Sequence, residues 1–290
     1  MKKILLQVYD SIHPNRDLAL FLFIYKFFTA VILLLPLNIL VSEAWGSSNL
    51  PARLFEGDFF MVIIETINSN NGGFSQYAVF LVMLCGLIFL LYQFLLAGIY
   101  GKLKERNSGK ENSFNLFYYS GKHSFDFIKI EAVALTALIL SLVAGIVMWI
   151  IFDALTVSQQ ADSAITIWLI AVGLLWYAVL SFFFDCCRAV AVSSGTNGLR
   201  STLKTVRKLW SKSKFRVIGL TFALYGLSGI VSMLYLALEN LLYSPGTIFI
   251  VIFAFLILRQ LFSALRSFVR FLIISGSVAF IENNELKQGE

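Results

Sequence analysis

Six apolar runs of 21 to 26 residues alternate with short polar stretches along this chain, at 18–41, 77–100, 127–152, 164–184, 217–238 and 247–271. About 20 apolar residues in a helix cross the roughly 30 Å of bilayer hydrocarbon. Only helices and closed barrels satisfy every backbone group in lipid, and barrel strands are about 9–11 residues long. The runs therefore predict an all-α, polytopic membrane bundle of six transmembrane helices. The first run is too long for the 7–15-residue apolar region of a signal peptide and is read as a spanning helix.

Between the runs, a second pattern recurs. Ile4, Leu5, Val8 and Ile12 fall at helical spacing before the first run, and the stretches 113–119 and 203–210 mix apolar and polar residues similarly. Such segments predict short amphipathic helices lying in the membrane interface, apolar face in lipid and basic face in water. The chain then reads as a single membrane domain, 1–290, of three elbow-plus-hairpin units at 1–101, 112–189 and 198–280. A further interfacial helix is expected at 52–68, in the long loop after the first run.

Composition agrees with burial in lipid. Of the 290 residues 58% are hydrophobic and only 14% charged, whereas a soluble domain carries about 25% charge. The net charge of +6 is unevenly placed. Residues 1–17 and the loops after the second and fourth runs hold seventeen Lys and Arg, while the opposite side holds only Arg53. The excess of basic residues on cytoplasmic loops then puts both termini in the cytoplasm. It also names anionic lipid headgroups on the cytoplasmic side as a partner of the basic–aromatic stretch 204–215, in place of nucleic acid. A protein partner or homo-oligomer is compatible with the small-residue faces.

Charges inside spans are costly and so mark candidate sites. Asp185 and Arg188, three apart, share a helix face. Arg259, Arg266 and Arg270 fall on one stripe of the last helix, with Gln260 beside it. A carboxylate suits the guanidinium fork, so Asp185 is expected to accept hydrogen bonds from Arg266 or Arg270. This set reads as an ion network fixing helix packing, or alternatively as an anion or headgroup site. Lys26 is expected to snorkel to the interface. Glu131 is expected in the first turn of the third span, where a carboxylate complements the helix dipole.

The faces Gly98/Gly101 and Ala137/Ser141/Gly145 offer close helix contact. Cys85, Cys186 and Cys187 are odd in number and lie in apolar surroundings, which excludes a disulfide framework; Cys186 and Cys187 read as packing residues, with acylation as the alternative. His13 and His123 read as surface residues. The sequence contains no phosphate-binding GxxxxGK[ST] loop, HExxH or GxSxG motif, and no metal or cofactor is expected.

The residues Phe94-Leu95-Leu96-Ala97-Gly98-Ile99-Tyr100-Gly101 leading into Ser113-Phe114, then Phe184-Asp185-Cys186-Cys187-Arg188-Ala189, then Arg266 with Ser275 and Val278-Ala279-Phe280, resemble uncharacterised six-helix bacterial inner-membrane proteins. The three-unit plan is distantly similar to the membrane domain of some bacterial glycerophosphodiester phosphodiesterases, without their catalytic soluble domain. The resemblance implies a bacterial inner-membrane location and six helices; it brings no activity. The sequence-level expectation is a non-enzymatic scaffold or accessory subunit that binds lipid or partner proteins. The alternative is a small transporter or channel for an anionic or lipid-like substrate, using the Arg stripe.

Overall fold

A computed structural model of the chain describes residues 2–45, 73–107, 116–155, 159–194, 198–242 and 249–286. The described residues form eight α-helices: α1 (Lys2–Ile12), α2 (Arg16–Trp45), α3 (Gly73–Asn107), α4 (Leu116–Leu155), α5 (Gln159–Ser194), α6 (Leu199–Lys212), α7 (Lys214–Leu242) and α8 (Phe249–Leu286). A single 3-10 turn, His13–Asn15, joins α1 to α2. Six of these helices are long and apolar enough to cross a membrane.

The long helices exceed the bilayer. At 1.5 Å per residue, the 40 residues of α4 span about 60 Å, and the 38 of α8 about 57 Å. Hydrocarbon accounts for only about 30 Å of that. The apolar runs thus located the spans but not the helix ends: α4 begins by Leu116, eleven residues before the run at 127, and α8 continues fifteen residues past 271.

The chain falls into two compact units, Met1–Leu22 with Gln93–Glu290, and Phe23–Tyr92. In the smaller unit the Tyr25 hydroxyl donates to the Ile88 carbonyl, and its ring stacks on Tyr92. In the larger unit, α4 packs on α5, α5 and α7 pack on α8, and α1 lies along α8. Burial is concentrated at one end of these helices. Tyr100, Phe127, Phe182, Phe271 and Phe280 are fully buried there, whereas Leu140, Val143, Trp149 and Ile150 of α4 are exposed. The exposed surface is apolar, as contact with lipid requires.

Glycine allows the closest approach. A Cβ on Gly98 would fall 2.7 Å from the Leu116 carbonyl oxygen, and one on Gly101 would strike the Tyr119 ring. The expected contact face on α3 is therefore real, and its partner is α4. The second expected face is not packed: Gly145 has nothing within 4 Å of its would-be Cβ.

The elbows differ from expectation. α1 buries Ile4 and Val8 against protein instead of lipid. The Ser11 and Ser275 hydroxyls lie 2.6 Å apart, and Asn283 Nδ2 donates to Gln7 Oε1, tying α1 to α8. α6 likewise buries Thr202, Val206 and Leu209, while its Trp210 ring meets Phe182 and Phe183 of α5. Amphipathic pattern marks an apolar face but does not say what covers it; here the bundle does. Gly198 opens α6 at φ 104°, a backbone conformation that favours glycine. Ser213 breaks the chain between α6 and α7, its N–H bonded to the Trp210 carbonyl and its own carbonyl accepting from Arg216 and Val217. Residues 116–126 form no separate elbow; they run straight into α4. The helix expected at 52–68 lies outside the described residues.

Candidate functional site

The polar centre of the larger unit is a buried ion cluster around Asp185. This side chain exposes 0% of its surface. Position fixes its partners. Arg188, one turn on along α5, donates from Nη1 to Asp185 Oδ1 at 2.6 Å. Arg270 on α8 forks across both carboxylate oxygens, Nη1 to Oδ2 at 2.6 Å and Nη2 to Oδ1 at 2.8 Å. Such two-point, charge-assisted bonding is the strongest arrangement open to this pair. Two tyrosines complete the shell. The Tyr100 hydroxyl of α3 reaches Oδ1 at 3.1 Å, and Tyr225 of α7 approaches Oδ2 at 3.5 Å while donating to Ser181 Oγ at 2.7 Å. Tyr100 itself sits beneath the Ser277 hydroxyl at 3.4 Å and edge-on to Phe127.

Arg188 has a second carboxylate. Its Nη2 forms an ion pair with Glu131 of α4. The side chains of Arg188, Glu131 and Arg270 are 6%, 19% and 20% exposed. The cluster therefore holds two carboxylates and two guanidiniums, formally balanced, and it draws on α3, α4, α5, α7 and α8. An ionised carboxylate offers about four acceptor positions. Two guanidinium N–H groups and the Tyr100 hydroxyl meet at Asp185 Oδ1, while Oδ2 takes one N–H of Arg270 with Tyr225 alongside. Arg188 Nε is buried with no hydrogen-bond partner among the described residues.

This arrangement brings Asp185, Arg188 and Arg270 into one group and corrects the rest. Arg266 does not reach Asp185. It is exposed, and its guanidinium carbon lies 5.0 Å from the Tyr235 ring centroid. Arg259 and Gln260 are also exposed on α8. The stripe reading failed along the helix axis: Arg259 is eleven residues, about 16 Å, from Arg270. Glu131 is not in a first helical turn, because α4 starts fifteen residues earlier; it serves as an ion-pair partner. Lys26 is half-buried in the Phe23–Tyr92 unit. His123 is buried, contrary to the surface expectation. Tyr100 and Tyr225 were missed, since nothing in their sequence setting separates a buried hydroxyl from an interfacial aromatic.

Further contacts close the same end of the unit. Lys104 Nζ donates to the Ser193 carbonyl at 2.6 Å, a cation on the last turn of α5, where the helix dipole favours it. Cys186 and Cys187 are buried beside the cluster. Among the described residues no three His, Cys, Asp or Glu side chains gather as a metal site would require.

Fold and cluster together define a multi-pass, all-helical membrane protein with six candidate spans. Comparison with known proteins goes no further: no family model, curated protein or solved structure gives a significant match to the chain.

Proposed function

We propose that this chain is a non-catalytic scaffold or accessory subunit of a bacterial inner membrane, its basic, tightly packed end at the cytoplasmic face, which holds a protein partner against the bilayer. The observation carrying this reading is the closed ion cluster. Its charges cancel, and the donors on Asp185 come from its own helices. Asp185 is wholly buried and held by side chains of its own helices, which supports a packing role. It acts as a clasp that sets how five helices meet. The orientation rests on the placement of seventeen basic residues on one side of the spans.

The transporter reading draws on a different feature. Arg259, Gln260 and Arg266 are exposed on α8, Arg266 beside the Tyr235 ring of α7, and intramembrane charges usually face a cavity or a neighbouring chain. Native mass spectrometry of protein extracted gently from its own membrane separates the two. A stoichiometric protein partner supports the scaffold. A homo-oligomer carrying a defined small anion, lost on Arg259→Gln or Arg266→Gln, overturns it in favour of transport. Maleimide labelling of a cysteine placed at Lys204 checks the orientation: reaction only after the cytoplasmic face is opened agrees with it, and reaction from outside refutes it.

A further inference from the structure

The α6–α7 elbow holds two cavities that meet at one lysine. The first, of about 360 Å³, is an apolar groove walled by Val179 of α5, Trp210 of α6, and Val217 and Ile218 of α7. Arg207 and Lys214 stand at its edge. Ser211 also lies there, but its hydroxyl donates to the Lys208 carbonyl at 2.9 Å. The second, of about 410 Å³, is cationic and half polar: Lys212, Lys214, Arg216 and Asn284 line it together with the apolar Leu209 and Phe215. Of these, Phe215 is 92% exposed.

Charge is one-sided here. From residue 186 to residue 238 the sequence contains eight Lys and Arg and no Asp or Glu. An apolar groove and a cationic cavity joined at an ammonium group match an amphiphile whose charge lies between its two parts. We propose that this elbow binds one anionic glycerophospholipid: an acyl chain lies along Val179, Trp210 and Ile218, the phosphate sits between Arg207 and Lys214, and an uncharged polar headgroup enters the cavity bounded by Lys212 and Arg216. The cationic cavity also sets specificity. A headgroup ammonium would face Lys212 and Arg216, so phosphatidylglycerol is taken and phosphatidylethanolamine refused. Phe215, projecting beside the site, inserts into the surrounding lipid.

The inference rests on the membrane reading above but not on the scaffold role, so a negative result here leaves the protein-partner experiment untouched. The test uses the full chain with Trp45, Trp149, Trp168 and Trp176 replaced by Phe, leaving Trp210 as the sole Trp fluorophore. The protein is placed in phosphatidylcholine nanodiscs with increasing fractions of lipid brominated on its acyl chains. Brominated phosphatidylglycerol should quench Trp210 saturably, at fractions about tenfold lower than brominated phosphatidylethanolamine, the order expected for one or two basic contacts to an anionic headgroup. R207Q with K214Q should abolish the difference, and R207K with K214R should retain it. Equal quenching by the two lipids overturns the proposal, and that comparison needs no variant at the site. A preference that survives R207Q/K214Q overturns it as well.

Discussion

Replacing Asp185 by Asn removes one charge and two or three good acceptor bonds from a fully buried side chain. The amide keeps the shape but turns an NH₂ donor toward guanidinium donors. Arg270 then loses its forked carboxylate, and Arg188 keeps Glu131. Breaking a buried ion pair by removing one member costs about 3–5 kcal/mol, because the other charge stays buried and uncompensated. Arg270 is 20% exposed and partly hydrated, so about 3 kcal/mol is expected for Asp185→Asn and about 2–3 kcal/mol for Arg270→Gln. On the soluble-protein scale of about 2–4 °C per kcal/mol, Asp185→Asn should melt roughly 6–12 °C lower and Arg270→Gln roughly 4–12 °C lower.

The decisive quantity is the coupling. In the double variant neither charge is stranded by loss of the other, so the combined loss should fall short of the sum by about 1–3 kcal/mol. The assay is reversible unfolding in mixed dodecylmaltoside and dodecylsulfate micelles, followed by far-UV circular dichroism, for both single variants, the double variant and the parent. Arg266→Gln supplies the internal comparison. It loses an exposed cation–π contact worth about 0.5–1 kcal/mol, and with Asp185→Asn it should be additive. Additive losses for Asp185→Asn and Arg270→Gln would refute the clasp, and so would coupling as large for Arg266 as for Arg270.

Other outcomes follow from the same packing. Replacing Glu131, Asp185, Arg188 and Arg270 together by Leu, Leu, Met and Met should restore much of the stability lost in the single variants, since apolar isosteres often match a buried ion set; thermal melting checks it. Gly98→Ala should destabilise by about 1–3 kcal/mol, because its Cβ meets the α4 backbone, while Gly86→Ala, in open space, should not lower the melting temperature. Cys186 and Cys187 are buried, so intact mass before and after hydroxylamine should show no thioester-linked acyl chain on either. Ser11→Ala with Ser275→Ala removes both hydroxyls of the buried pair and should cost about 1 kcal/mol or less in the same unfolding assay. Ser11→Ala alone takes away the oxygen facing Ser275 and should cost at least as much.

Much of this architecture could be read from the chain. Helical spans follow from run length, and the Asp185–Arg188 pair follows from spacing on one face. Arg270 was reachable because a fork-shaped donor on another helix is what a buried carboxylate needs. Failures came where local pattern underdetermines a long-range contact. A helical wheel sets Arg259, Arg266 and Arg270 on one stripe but discards their separation along the axis, and only Arg270 lies level with Asp185. Glu131 was misplaced because hydropathy marks where a helix enters lipid, not where it begins. The faces of α1 and α6 were legible as apolar, but the same pattern serves a membrane surface and a groove between helices. No periodicity distinguishes Tyr100, which is fully buried, from Tyr118, which is exposed.

The location of the cluster has a physical cause. Inside hydrocarbon, apolar side chains gain little by leaving lipid for one another, so helix association there depends on close packing and polar contacts. α4 shows the consequence: its apolar side chains Ile139, Leu142, Ile146 and Ile150 are exposed to what surrounds the protein. At one end of these helices Phe127, Phe182, Phe271 and Phe280 pack into a buried core. Asp185, Arg188 and Arg270 lie next to that core, level with the buried Cys186, Cys187 and Phe271. An apolar contact at this level would tolerate sliding of one helix along another, because lipid and protein solvate it nearly alike. A forked ion pair does not: a one-residue slip of α8 moves Arg270 about 1.5 Å along the axis and rotates it by about 100°, which breaks both bonds to Asp185. The cluster thus fixes register where hydrophobicity has the least power to do so.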